Sequence, residues 1–519
     1  MEISERSFED AIEQGLLQHG PDATAAAGIA RETLSPYGDV PGGYRRRRPE
    51  DYDRTLCLLP RDVVDFVLAT QPKEWQKLTQ HHGTAAVKEQ FLARLAAEIA
   101  RRGALDVLRN GIKDSGCAFH LAYFRPSSGL NEETKRLHAA NLFGAVRQLR
   151  YSTKSEKSLD LALFLNGIPI FTAELKNLLN GQDVEDAMRQ YKTDRDPRAA
   201  LLAFGRCLGH FAVDPNLVFV TTQLAGPRTR FLPFNRGKFG GAGNPPVSPT
   251  QQRYSTAYLW EETWARDSVL DLIRQFIHEV EEEDDRGRKT GRRHLIFPRY
   301  QQLDAVRRLV ADVRSTGAGR RYLIQHSAGS GKSFTIAWLA HQLATLHDAG
   351  DRRVFDSIVV VTDRRVLDRQ LQSTMRQFEQ TLGVVENIDT TSRQLKEALE
   401  AGKTIIVTTL QKFPVIAAQI GALPGQCFAV IVDEAHSSQS GESTKSLKSV
   451  LAAGSLEQAE AEEAEAETPE EELEGAILAE MEKRGRLPNL SLFAFTATPK
   501  RSEERRVGKE CRSRWSPYH

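Results

Sequence analysis

YLIQHSAGSGKSFTIAWLAHQLATL, residues 322–346, runs from a short apolar strand pattern through a glycine-rich turn into an apolar helix pattern. That order is what a phosphate-binding loop requires. Gly329 and Gly331 let backbone amides approach phosphate oxygens, and the N-terminus of the following helix adds a favourable dipole. Lys332 is then placed to reach the β- and γ-phosphates, and Ser333 to hold Mg²⁺. Ser330 completes the loop. The first glycine of the usual G-x-x-x-x-G-K-S pattern is replaced by His326.

Working outward, apolar runs recur at 322–325, 357–362, 404–409, 428–433 and 491–496. Continuous β-branched runs of this kind suit strands buried on both faces of a parallel sheet. Asp433-Glu434-Ala435-His436 ends the fourth run. Asp433 is expected to coordinate Mg²⁺ through water, Glu434 to orient the attacking water, and His436 to line the nucleotide pocket. Arg299-Tyr300-Gln301-Gln302 precedes the loop, where Gln302 can read adenine. TDRRVLDRQL (362–371), TTLQKF (408–413) and Thr496-Ala497-Thr498 fall at strand ends, where such a motor would face nucleic acid; Arg364, Arg365 and Lys412 read equally well as ordinary surface charges.

A second constellation lies about 155 residues upstream. SLDLALFLNGIPIFTAELKN (158–177) alternates apolar runs around Asn166-Gly167, a strong hairpin signal. Glu174 and Lys176 are two apart and share one sheet face. A turn at 166–167 brings Asp160 opposite them. An acid on one strand and E-x-K on its partner is the pattern of a metal-dependent phosphodiesterase. Asp160 and Glu174 would bind Mg²⁺, and Lys176 would position the water and stabilise developing charge. Gln190, on the next helical stretch, is a further candidate for orienting that water. Glu9 and Glu13 share one face of the first helical stretch (7–17) and read as exposed helix acids rather than ligands.

Around these sites, helical periodicity is expected at 7–17, 62–68, 84–113 and near Val184–Tyr191, with strands at 118–124, 145–151, 159–165, 169–176 and 218–222. Residues 225–250 are rich in Gly, Pro and basic residues and read as a loop, 265–283 as a connecting helix ending in an acidic run, and 456–474 as a Glu/Ala-rich insertion. The expected organisation is therefore a nuclease domain at 1–230, a linker at 231–289 and an ATPase domain at 290–500. RSEERRVGKECRSRWSPYH (501–519) has no apolar periodicity and back-translates to a short-read sequencing adapter. It is expected to be a translated scar on a truncated chain.

The 519 residues carry a formal net charge of +1, with 40% hydrophobic and 27% charged residues. That excludes a simple polybasic binder, so nucleic acid would have to be met by local patches. The five cysteines are scattered without a C-x-x-C pair. Reduced thiols, no membrane span and a cytoplasmic location are expected.

The downstream motifs resemble those of superfamily 2 helicases of the DEAH kind, over the first of their two RecA-like domains. The upstream acid and E-x-K resemble the PD-(D/E)xK nucleases. That family's form is Q-x-x-x-Y, whereas position 194 here is Asp and Tyr191 adjoins Gln190. NEETKRLHAANLFGAVRQLRYSTKSEKSLDLALFLNGIPIFTAELKN, FLPFN, GAGNP and DEAHSSQSG together resemble the restriction (R, or HsdR) subunit of type I restriction–modification enzymes. The resemblance implies an α/β chain with a restriction-endonuclease-like domain followed by a RecA-like domain. It implies ATP and Mg²⁺ as cofactors, and an endonuclease that cuts double-stranded DNA after ATP-driven translocation. It also implies assembly with methyltransferase (M) and specificity (S) subunits. Two alternatives stay open: a translocase with an inert nuclease fold, and a non-catalytic DNA-binding fragment.

Overall fold

The computed structural model describes residues 5–23, 40–125, 131–177, 181–238, 241–247, 253–283, 288–326, 330–362, 365–378, 384–387, 398, 402–409, 425–433, 488–496 and 512–513. The chain divides into two compact units, and the division falls between Tyr300 and Gln301.

The first unit begins with α1 (Glu5–Leu17), which buries Phe8, Ile12, Leu16 and Leu17 at the expected spacing. There follow β1 (Arg45–Arg47), α2 (Pro60–Thr70), α3 (Pro72–His82), α4 (Val87–Arg102) and α5 (Ala104–Asn110). The single helix expected over 84–113 is thus two helices. Gly103 (φ 86°) and Gly111 (φ 68°) adopt a conformation open to glycine, and each ends a helix. The chain then forms β2 (Ile112–Asp114), β3 (Cys117–Phe119) and α6 (Glu132–Ala139).

The central sheet holds β4 (Phe143–Arg150), β5 (Ser158–Leu165), β6 (Ile168–Leu175), β7 (Gly209–Val213), β8 (Val218–Thr221) and β9 (Leu232–Pro233), in the order β1-β4-β5-β6-β7-β8-β9. β4, β5 and β6 run antiparallel in succession, whereas β6 and β7 are parallel. A parallel neighbour needs a crossover, and α7 (Val184–Thr193) supplies it. Asn166 (φ 50°) and Gly167 (φ 80°) make the expected β5–β6 turn. The Asn166 amide pins it by donating to the Leu121 carbonyl at 2.8 Å.

Residues 231–289 are not a linker. The chain from α8 (Arg266–Asp271) through the π-helical turn Leu272–Phe276 belongs to the first unit, whose core takes Trp264, Ile273 and Phe276. The acidic run forms β10 (His278–Glu283), paired antiparallel with β11 (Lys289–Ile296). This run, expected to end a connecting helix, instead faces bases across the ribbon: Glu279 meets Arg293 at 3.0 Å and Glu281 meets Lys289 at 3.3 Å. Arg236, from the expected basic loop, is held by Glu262 and by the Tyr300 hydroxyl.

The second unit contains α9 (Tyr300–Thr316), β12 (Arg321–Gln325), α10 (Lys332–Ala344), β13 (Ser357–Thr362), α11 (Arg365–Gln377), β14 (Val385–Asn387), β15 (Ile405–Thr409), β16 (Phe428–Val432), β17 (Leu490–Thr496) and β18 (Arg512–Ser513). Every strand pairing in its sheet is parallel, in the order β14-β15-β13-β16-β17-β12-β18. The five expected apolar runs are the five strands β12, β13, β15, β16 and β17. The acidic insertion at 456–474 lies outside the described residues. So does the 501–519 tail, apart from β18, which lies beside β12. Among the described residues no helix is long and apolar enough to cross a membrane.

Candidate active sites

In the first unit, the β5–β6 register Leu161↔Ala173 places Asp160 opposite Glu174 one step further along. Asp160 Oδ2 accepts the Leu175 backbone N–H at 2.8 Å, which ties the acid to the neighbouring strand. Glu174 is fully buried. Its Oε1 pairs with Arg195 Nε at 2.6 Å, while its Oε2 has no hydrogen-bond partner. Burial first, and the adjacent Asp160 second, push the Glu174 carboxyl well above the ordinary carboxylate range; Arg195 opposes them. Lys176 follows β6, its backbone N–H held by the Val213 carbonyl at 2.9 Å and its side chain almost wholly buried.

A buried, unpartnered carboxylate oxygen beside a second carboxylate is a fit for a hard divalent cation, which takes oxygen ligands and keeps several waters. Asp160 and Glu174 are the residues that would hold it. Among the described residues no group of three or more His, Cys, Asp and Glu side chains that could hold a metal ion is found.

No hydrogen bond joins the Gln190 side chain to Asp160, Glu174 or Lys176 among the described residues. Its neighbour Tyr191 turns inward instead, with its hydroxyl 2.8 Å from Thr172 Oγ1. Thr172 in turn meets His210 Nδ1 at 2.7 Å, and burial holds that imidazole neutral, its pKa down to about 3. Glu9 and Glu13 are not exposed acids. Their side chains are 11% and 13% accessible, and both clamp Arg147, at 2.6 and 3.1 Å. Gln148 Nε2 bridges Glu9 Oε1 (3.2 Å) and Asp160 Oδ1 (3.3 Å).

Arg195 and Gln148 escaped the sequence reading. Each is a single polar residue in a charged stretch, and nothing local separates it from surface charge. Arg195→Ala is expected to strand Glu174 without its counter-charge, at a cost of about 3–5 kcal/mol where the carboxyl is ionised. The remaining carboxyl would be driven further toward its neutral form. The loss should therefore be large in urea unfolding at pH 8 and smaller at pH 5. An equal loss at both would show that Arg195 acts by packing alone.

In the second unit, Gly331 (φ 82°) is the N-cap of α10. A Cβ there would lie 2.7 Å from Gln302 Nε2. Gln302 is buried and donates to the Gly331 carbonyl at 2.9 Å and the Ser330 carbonyl at 3.3 Å. The structure thus places Gln302 against the loop backbone, a contact the adenine-reading expectation did not include. Lys332 Nζ lies 3.0 Å from Asp433 Oδ1, so the loop's cation and the acid after β16 face each other. Ser333 opens the first turn of α10. Gly329, Glu434, His436, Arg364, Lys412, Ala497 and Thr498 lie outside the described residues, and Arg365 and Thr496 are described only as members of α11 and β17.

These two units correspond to two known families. Residues 70–228 match the family described as type I restriction enzyme R protein N terminus, and residues 301–515 match the SWI2/SNF2 ATPase family. A restriction-type N-terminal unit followed by an ATPase unit defines the class. The type I restriction enzyme HindI endonuclease subunit of Haemophilus influenzae is 28% identical over 383 residues, covering 69% of this chain and 31% of that protein. The putative type I restriction enzyme MjaVIIIP endonuclease subunit of Methanocaldococcus jannaschii is 25% identical over 349 residues, covering 60% and 31%. The SsaAORF53P endonuclease subunit of Staphylococcus saprophyticus is 24% identical over 308 residues, covering 58% and 30%. The two matched families and these relatives support an HsdR-like protein over part of the chain. The chain spans about a third of the length of the curated relatives it matches.

Proposed function

We propose that this chain supplies the nuclease and the nucleotide-binding part of a motor to a type I restriction enzyme, which translocates on double-stranded DNA with ATP and then cuts it. The observation that carries the reading is the Glu174 carboxyl, buried, unpartnered at Oε2 and set beside Asp160 in the ladder. In this PD-(D/E)xK reading Asp160 and Glu174 would hold Mg²⁺, which lowers the cost of generating hydroxide at neutral pH and screens the phosphodiester charge. Lys176, the residue after β6, would stabilise charge developing on the phosphate. Gln190 is the further candidate for ordering that water. At the second site the loop backbone and Lys332 would hold the ATP phosphates, Ser333 directly and Asp433 through water would hold Mg²⁺, and Glu434 would orient the attacking water. Methyltransferase and specificity subunits are the proposed partners and the cytoplasm the proposed location.

The Arg195–Glu174 pair favours a second reading, in which the nuclease fold is inert because its acid is already neutralised. One experiment separates the two. In an enzyme assembled from the full-length R protein with its cognate subunits, Lys176→Ala is expected to abolish double-strand cleavage while DNA-stimulated ATP hydrolysis persists. Unaltered cutting would sink the nuclease assignment.

A further inference from the structure

The phosphate-binding loop starts with His326, where a glycine is usual. Glycine at that point lets the chain turn tightly; a histidine must do something else, because its ring needs room and polar partners. The ring is almost fully buried. Its Nδ1 lies 2.6 Å from Ser330 Oγ and its Nε2 3.3 Å from Thr335 Oγ1. A neutral imidazole has one donor and one acceptor, and each hydroxyl can play either part, so both ring nitrogens are satisfied. The ring face lies 6.1 Å from Phe495, next to the Thr496-Ala497-Thr498 segment.

Two separate points of the chain meet on this one side chain, which itself follows β12: the residue before the Gly331 N-cap and the first turn of α10. Ser330 and Thr335 are themselves buried. Ser330 is also held from its carbonyl side by Gln302. A glycine-rich loop is costly to order, at roughly 1–2 kcal/mol per residue. A contact that fixes it before ligand arrives removes part of that cost from binding.

We propose that His326 is a positioning residue of the nucleotide site, an imidazole bridge between the Ser330 and Thr335 hydroxyls that presets the phosphate-binding loop for nucleotide phosphates. The proposal rests on the reading of residues 326–333 as a nucleotide site. It assigns the Ser330 arm, through Nδ1, the larger share, because that contact is the shorter and ends on the loop itself.

The test is titration of the whole chain with a fluorescent ATP analogue in Mg²⁺ buffer, with melting temperatures measured in parallel. H326A is expected to bind roughly fivefold to tenfold more weakly, the worth of one or two hydrogen bonds. An asparagine amide reaches the place of Nδ1 and a glutamine amide the place of Nε2. H326N should therefore restore most of the lost affinity, whereas H326Q should stay as weak as H326A. S330A is expected to weaken binding, and adding H326Q to it should cost little more, since both remove one interaction. Equal affinity across all variants would overturn the proposal. So would H326N and H326Q losses that are alike and simply follow the melting temperature, or full additivity of H326Q and S330A. If the unaltered chain binds no nucleotide, the nucleotide-site reading itself falls, and this proposal with it.

Discussion

Lys332→Ala is expected to weaken nucleotide binding by roughly tenfold to a hundredfold, the worth of a charge-assisted hydrogen bond of about 1.5–3 kcal/mol. Lys332 Nζ and Asp433 Oδ1 lie 3.0 Å apart, and both side chains are nearly buried. ATP with Mg²⁺ must part them, Lys332 turning to phosphate and Asp433 to the cation. Asp433→Asn tests the other half: it removes the carboxylate that would meet the cation and leaves Lys332 in place, so metal-free nucleotide should still bind. The gain in affinity on adding Mg²⁺ should then shrink. Titrations with and without Mg²⁺ read both effects. Unchanged affinity in Lys332→Ala would mean that the loop does not hold phosphates.

The second large effect concerns the carboxylate pair. Asp160→Ala and Glu174→Ala are each expected to abolish Mn²⁺ binding by the first unit's site. In the unaltered chain, affinity should rise with pH, because a proton and the cation compete for a carboxyl held well above its ordinary value. The limiting slope is about tenfold per pH unit while Glu174 is protonated. The stability sign follows from the same shift. With the folded value raised, the folded chain keeps a proton that the unfolded chain loses near the ordinary value of 4.5. That stabilising contribution is full below this pH and is lost as pH rises through the raised folded value. Metal-free protein should therefore lose stability across that window, Mn²⁺ should restore it, and Glu174→Gln should flatten the dependence. A Mn²⁺ affinity independent of pH, or retained in Glu174→Ala, would place the metal elsewhere.

Much of this architecture was legible because its signals are local. The β5–β6 hairpin needed only Asn166-Gly167 between two apolar runs, since few residues other than Asn and Gly accept positive φ there. Strands β12, β13, β15, β16 and β17 each announce themselves as buried apolar runs, and α1 shows its four buried residues at helical spacing. Asp160, Glu174, Lys176, Lys332 and Asp433 stand out as candidates from spacing alone, and the structure sets Asp160 beside Glu174 in the ladder and Lys332 beside Asp433.

Other features depend on pairings between distant segments. GHFAV at β7 carries no distinctive turn or period; only the crossover through α7 makes it the parallel neighbour of β6. The acidic run from Glu279 reads as the end of a helix until pairing with β11 makes it a strand. Trp264 and Phe276 show no local sign of joining the nuclease-like unit, yet their burial moves its boundary to Tyr300.

The sequence by itself determined the Asn166-Gly167 hairpin, the five buried apolar strands and the buried stripe of α1, and put forward the candidate groups of the two sites, because turn chemistry and apolar period act over a few residues. The tertiary structure alone decided what surrounds those groups: Arg195 against Glu174, Gln148 between Glu9 and Asp160, Gln302 and His326 on the phosphate loop. Burial and partner charge fix whether a carboxyl keeps its proton or a loop is preset, and both arise only when segments remote in sequence pack together.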